Sequence, residues 1–143
     1  MNAFFIGLTL VAGAPGLKGP VKGEPPPIVG KWMLTDYLQS GANLGFSEGT
    51  YTEFRADGKR IWCEGTGQEP DESRGYKLHE KTNPPALDLI RPNDPMQPPD
   101  VFPCIYKIDG DTLIVTINDT GQDRPTKHEE GWRVMKYKRA KKD

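Results

Sequence analysis

Two histidines, two cysteines and three serines are the side chains of this 143-residue sequence best suited to metal, proton or covalent chemistry. Their spacing arms none of them. His79 and His128 stand in no metal-ligand pattern with Cys63 or Cys104, and the two are not spaced for one helical or strand face. Ser40, Ser47 and Ser73 fall in expected loops, and none sits in the Gly-x-Ser-x-Gly turn that exposes a nucleophile. The run Asn118-Asp119-Thr120-Gly121-Gln122-Asp123 is rich in oxygen donors but lacks the alternating acids and distal Glu of a calcium loop. His128-Glu129-Glu130 can be drawn as an acid–base cluster, because His titrates near neutrality and carboxylates shift it. A solvent-facing loop explains the same three residues more simply. No glycine-rich phosphate loop precedes a helix. The reading is therefore of a non-catalytic chain with no cofactor and no metal.

Cys63 and Cys104 leave two alternatives open. They are an even pair, available for one disulfide in an oxidising compartment, where closing the intervening loop would stabilise by about 3 to 4 kcal/mol. They serve equally well as two buried thiols packing as small apolar residues.

The elements that must position these residues are strands. Period-two runs bounded by turn residues cover Ile28 to Leu38, Thr50 to Arg55, Lys59 to Cys63, Gly75 to His79, Ala86 to Arg91, Val101 to Ile108, Thr112 to Ile117 and Trp132 to Arg139. Asp109-Gly110 and Asp57-Gly58 mark hairpins, since tight turns matching strand twist need a positive φ that Gly adopts freely. No amphipathic helix longer than a turn or two is evident. The fold class is all-β. Eight consecutive strands predict an up-and-down antiparallel barrel, because closure removes exposed edges; a two-sheet sandwich is the alternative. Alternate connections then fall at opposite ends, so the longer loops 39–49, 64–74, 92–100 and 118–131 share one end.

Those loops carry eleven acidic residues against three basic ones. Glu69, Asp71, Glu72, Asp94, Asp123 and Glu129 would form an acidic rim, a field that favours a cationic ligand or basic partner. The chain as a whole is near neutral, with a formal charge of −1, and shows no basic face interleaved with aromatics. That composition excludes a nucleic-acid footprint. The barrel interior offers Phe54, Ile61, Tyr76, Leu87, Phe102, Tyr106, Leu113 and Val115 as cavity lining. An eight-stranded interior is either filled by such side chains or holds one small apolar or amphipathic molecule.

Ahead of the barrel, Phe4 to Ala14 is an apolar run of signal-peptide length, too short to span a bilayer, followed by small residues. Residues 1–16 read as an export signal, 17–27 as a Pro/Gly-rich tether, 28–139 as the barrel and 140–143 as a basic tail.

Gly30-Lys31-Trp32, at the start of the first strand, resembles the Gly-x-Trp signature of lipocalins. The resemblance implies a late-strand Arg laid across Trp32, and Arg139 occupies the matching place, with Arg133 a poorer candidate. Gly30, Trp32 and Arg139 would then cap the closed base. A wider resemblance rests on Gly75-Tyr76-Lys77-Leu78, Asn83-Pro84-Pro85-Ala86-Leu87-Asp88-Leu89, Ile105 to Leu113 and Arg124-Pro125-Thr126. These segments look like the uncharacterised small lipocalin-like domain family abundant in planctomycete bacteria. The sequence departs from that pattern at His128 and Thr116. The resemblance implies a lipocalin-like barrel in a secreted protein and leaves the activity open. Two functions follow as expectations: an exported module binding a small ligand, or a filled-core interaction domain that meets a protein or cell-envelope polymer through its acidic loops.

Overall fold

The computed structural model describes residues 26–141. The expected export signal and all but the last two residues of the tether lie outside the described residues.

Among the described residues nine strands follow one another: β1 Gly30–Gln39, β2 Ala42–Asn43, β3 Thr50–Phe54, β4 Lys59–Glu64, β5 Asp71–His79, β6 Ala86–Arg91, β7 Asp100–Asp109, β8 Thr112–Ile117 and β9 Arg133–Arg139. Each long strand pairs antiparallel with its neighbours in sequence, and β9 returns to pair with β1 from Arg133↔Gln39 to Arg139↔Trp32. The result is a closed eight-stranded up-and-down barrel, with β2 as a two-residue appendage folded back on the end of β1. Closure leaves no long edge to template aggregation. Strand alternation puts the loops 40–49, 65–70, 92–99 and 118–132 at one end, the mouth, and the turns 55–58, 80–85 and 110–111 at the other, the base.

Two bulges set which side chains enter the barrel. In β1 the pairing with β9 slips between Lys136 and Tyr137, and Thr35 is the extra residue. Trp32 and Leu34 point inward below it, and Tyr37 and Gln39 above it, where strict alternation would have turned Asp36 and Leu38 inward. In β5 the pairing with β4 slips between Arg60↔Arg74 and Trp62↔Asp71. Bulges of this kind re-aim side chains at barrel rims.

The base half of the barrel is solid. Trp32, Phe54, Leu87, Leu113, Val115 and Tyr137 are essentially inaccessible to solvent and interdigitate there. Phe54 and Tyr76 meet edge to face at 5.0 Å. Ile28 plugs the base from below, fully buried, and its carbonyl accepts the Trp32 Nε1–H bond at 2.9 Å. Arg139 closes the plug: its guanidinium lies 4.1 Å over the Trp32 ring and donates to the carbonyls of Pro27 and Val29.

A second packed layer lies outside the wall. Ala86, Ile105, Thr116 and Val134 form one cross-strand row on the outer face of β6 to β9, and all four are buried. The loop 118–132 covers them, with Pro125 buried and the Glu129 amide donating to Thr116 Oγ1.

Two expectations from the sequence are corrected, and one pair of alternatives is decided. The fourth run begins at Asp71 and not Gly75, because the bulge carries the polar stretch Asp71 to Arg74 into β5. The loop 65–70 is therefore no longer than the base turn 80–85. The last loop does not ring the mouth; it folds down the outer wall, so the mouth is framed by the other three. Finally, Cys63 and Cys104 are free thiols. Cys63 lies on the outer face of β4, its Sγ bonded to the carbonyls of Gly65 and Gln68, while Cys104 sits in the core. The wall of the barrel separates them.

Candidate functional site

What the packed base leaves open is a cleft of about 220 Å³ in the mouth half of the barrel. Its walls are Tyr37 from β1, Arg60, Trp62 and Glu64 from β4, Arg74 from β5, Leu89 and Arg91 from β6, Phe102 from β7, Ile117 from β8, and Trp132, Arg133 and Met135 at the start of β9. Four arginines and four aromatic rings thus face a space with a single carboxylate, Glu64, in its lining.

Each arginine has a different standing. Arg74 is held by Asp71, Nε to Oδ2 at 3.0 Å, and Arg91 by Asp100, Nη2 to Oδ2 at 2.8 Å. Hydrogen bonds from the Ser73 hydroxyl and amide, and then from Arg74, hold the Asp71 carboxyl down at about 2. Arg133 donates to Tyr37 Oη at 2.8 Å and Gln39 Oε1 at 3.1 Å, and its guanidinium stacks 4.0 Å over Trp132. Arg60 is the deepest, at 4% exposure. Its Nε donates to Thr52 Oγ1 at 3.1 Å, and its guanidinium lies 5.4 Å from the Trp62 ring. No carboxylate among the described residues comes within ion-pairing distance of Arg60 or Arg133. Burial lowers the Arg60 pKa from its ordinary value, Tyr137 works against that shift, and the positive charge of Arg74 adds to it. A guanidinium stays charged through such a shift. Beside it, burial pushes the Tyr137 hydroxyl up to about 12.

The expected cavity lining divides three ways. Phe102 faces the cleft. Phe54, Tyr76, Leu87, Tyr106, Leu113 and Val115 point inward but are consumed in the solid base half. Ile61 lies on the opposite face of β4, since Arg60 is paired with inward-facing Phe54 and Trp62 with Thr52. The same misplacement hid Arg60. Ile61 and Cys63 are apolar and invite an inward reading, whereas the pairing across the hairpin at 55–58, anchored on Phe54, turns Arg60, Trp62 and Glu64 inside.

The acidic rim is likewise dispersed. Glu69 and Asp94 are exposed on loops that frame the mouth, whereas Asp123 is exposed on the loop 118–132 that leaves it. Asp71 and Glu72 belong to β5, where Glu72 meets Arg55 at 3.5 Å, and Glu129 pairs with Lys136 at 2.8 Å down on the outer wall. Apolar side chains share the rim, with Leu44, Phe46 and Met96 exposed. The charge inside the mouth is thus opposite in sign to that of its surroundings.

His128-Glu129-Glu130 is not assembled as a catalytic cluster: Glu129 is turned to Lys136, and the His128 ring borders a surface depression near Pro84 and Pro85. The other histidine belongs to a polar clamp on the outer wall. Asp88 on β6 accepts from His79 Nε2 at 2.8 Å and from Arg124 Nη2 at 2.7 Å, and Arg124 Nη1 donates to the carbonyls of Leu87 and Cys104 at 2.9 Å. Burial alone would raise the Asp88 pKa, but the hydrogen bonds from His79 and Arg124 outweigh it and the net shift is downward. This clamp ties the last loop to β6 and β7. No group of three or more potential ligands could hold a metal among the described residues.

Fold and cleft together define a closed antiparallel barrel with one basic, aromatic-walled recess. Comparison with protein-family models, with curated proteins and with solved structures finds no match for the chain.

Proposed function

We propose that the protein is an exported, non-catalytic lipocalin-like module that binds one small amphipathic molecule in the mouth of its barrel. The observation that carries this reading is the cleft of about 220 Å³ left above a solid base, walled by Tyr37, Trp62, Phe102 and Trp132. Folded chains close-pack their interiors, and concave sites lined by apolar and aromatic groups with a few polar ones are where small molecules bind. The volume lies below the roughly 300 to 1,000 Å³ of drug-sized pockets, so the ligand is a compact molecule and not a long-chain lipid. Both the export reading and the resemblance to the planctomycete lipocalin-like family belong to this proposal.

Native mass spectrometry of the protein purified from its own host tests it. A co-purifying small molecule, released on unfolding, is the expected result. Intrinsic fluorescence gives a second readout, because Trp62 and Trp132 border the cleft while Trp32 is sealed in the base. Addition of the released molecule to stripped protein should change the emission saturably, and Trp62→Phe should remove part of that change.

The exposed Leu44, Phe46 and Met96 favour a second reading, in which the rim docks a protein or envelope polymer. Native spectra showing only empty protein, together with a stable complex lost on replacing Phe46 and Met96 by Ser, would select it.

A further inference from the structure

We infer that the ligand of the mouth cleft is an anion, a compact aromatic acid whose carboxylate is received by Arg60 and Arg133 while its ring lies among Trp62, Phe102 and Trp132. The inference rests on the small-ligand reading above and adds the charge and class of the molecule.

Three observations converge. First, Arg60 is a buried cation with no carboxylate partner among the described residues, and it borders the cleft. Charged groups are rarely buried without a counter-ion, because desolvation is costly. Second, the register sets Arg60 directly opposite Arg74 on the inner face of the wall. Like charges in that position oppose the fold, and Asp71 relieves only Arg74. Such local conflicts are characteristic of functional sites. Third, Arg133 is the second lining arginine without a carboxylate, and its Nε and Nη1 are spent on Gln39 and Tyr37, which fixes the plane of the guanidinium. The guanidinium is thus held in place with Nη2 uncommitted, which suits a charge-assisted bond to a carboxylate. Glu64, the one acid in the lining, is bonded to Trp62 Nε1 at 3.3 Å and stands at the exposed end of β4, away from the depth at which Arg60 lies. The aromatic walls add stacking surface for a ring.

The acidic rim does not contradict this assignment. Its charges are solvated and screened within about 8 to 10 Å, whereas the recess is partly desolvated, and there a charge-assisted bond is strongest.

The test uses three isosteric probes titrated into the full-length protein by tryptophan fluorescence and calorimetry: 2-naphthoate, 2-naphthamide and 2-naphthylmethylamine. The expected result is naphthoate bound at least about tenfold tighter than naphthamide, with the amine weakest; one charge-assisted bond accounts for a difference of that size. Arg60→Met should abolish the preference for naphthoate while keeping naphthamide binding and holding or raising the melting temperature, because it removes an unpaired buried charge. Arg133→Gln should reduce the preference partially. Equal binding of naphthoate and naphthamide would overturn the anion assignment and leave the small-ligand reading standing. Failure of all three probes to bind would overturn both together. Unchanged naphthoate affinity in Arg60→Met would also overturn the assignment. Should that variant not fold, the wild-type comparison of naphthoate with naphthamide decides by itself.

Discussion

At Gly30 the backbone adopts a φ of +135°, and a Cβ built there would lie 2.9 Å from Arg139 Nη1. Only glycine tolerates both conditions, and its bareness lets the arginine lie across Trp32 and tie down the plug residues Pro27 to Val29. Gly30→Ala should therefore cost about 1 to 3 kcal/mol, measured by urea unfolding, with the Trp32 emission shifting toward that of a solvated indole. This part of the molecule was legible in the sequence, because Gly30 and Trp32 resemble the lipocalin signature, which implies a late-strand Arg, and the strand count places first and last strands together. Arg60 was not legible. Its inward direction depends on its pairing with Phe54 across a hairpin, whereas the apolar neighbours Ile61 and Cys63 suggest the opposite phase.

Among the elements, the segment 118–132 has most to reveal. Its length reads as a mouth loop, yet Arg124 and Pro125 hold it against the outer faces of β6 to β8. Asp88 is the hinge of that attachment, with its carboxylate only 17% exposed. Asp88→Asn should lower stability by about 1 to 3 kcal/mol, since it leaves a half-buried guanidinium without its counter-charge. Trypsin should then cut the loop 118–132 at Lys127 faster than it cuts the parent protein. The same group gives a pH dependence. The folded pKa of Asp88 lies below its unfolded value, so its contribution is fully present above the ordinary carboxylate range and is lost as pH falls through the folded pKa. Acid titration of the melting temperature should show that loss, and Asp88→Asn should flatten it.

On the scale of the whole molecule, the barrel is an insulating wall. Cys63 outside and Cys104 inside cannot meet, so no disulfide forms without unfolding the barrel. Burial also pushes the Cys104 thiol up to about 12, which suppresses the reactive thiolate. Alkylation without reductant should leave Cys104 unmodified in folded protein and label both thiols in denaturant. A mass two hydrogens short, with no label in denaturant, would show that a bridge exists. The same wall separates two electrostatic environments, long loops rich in acids outside and a recess lined by arginines within.

The sequence by itself determined the eight barrel strands, their order and the hairpin turns, because alternation and Asp-Gly turns are local signals; it missed the two-residue β2, and the capped base followed from the resemblance of Gly30-Lys31-Trp32 to the lipocalin signature. Its spacing carries no local metal-ligand or nucleophile motif, since such motifs can be counted along the chain. Only the tertiary structure decided which faces of β1, β4 and the first half of β5 look inward, because bulges at Thr35 and in β5 shift the phase by one residue and the face of β4 follows its register with Phe54. It alone gathered Arg60, Arg74, Arg91 and Arg133 around one space: they come from four strands, and nothing short of closing the cylinder brings them together.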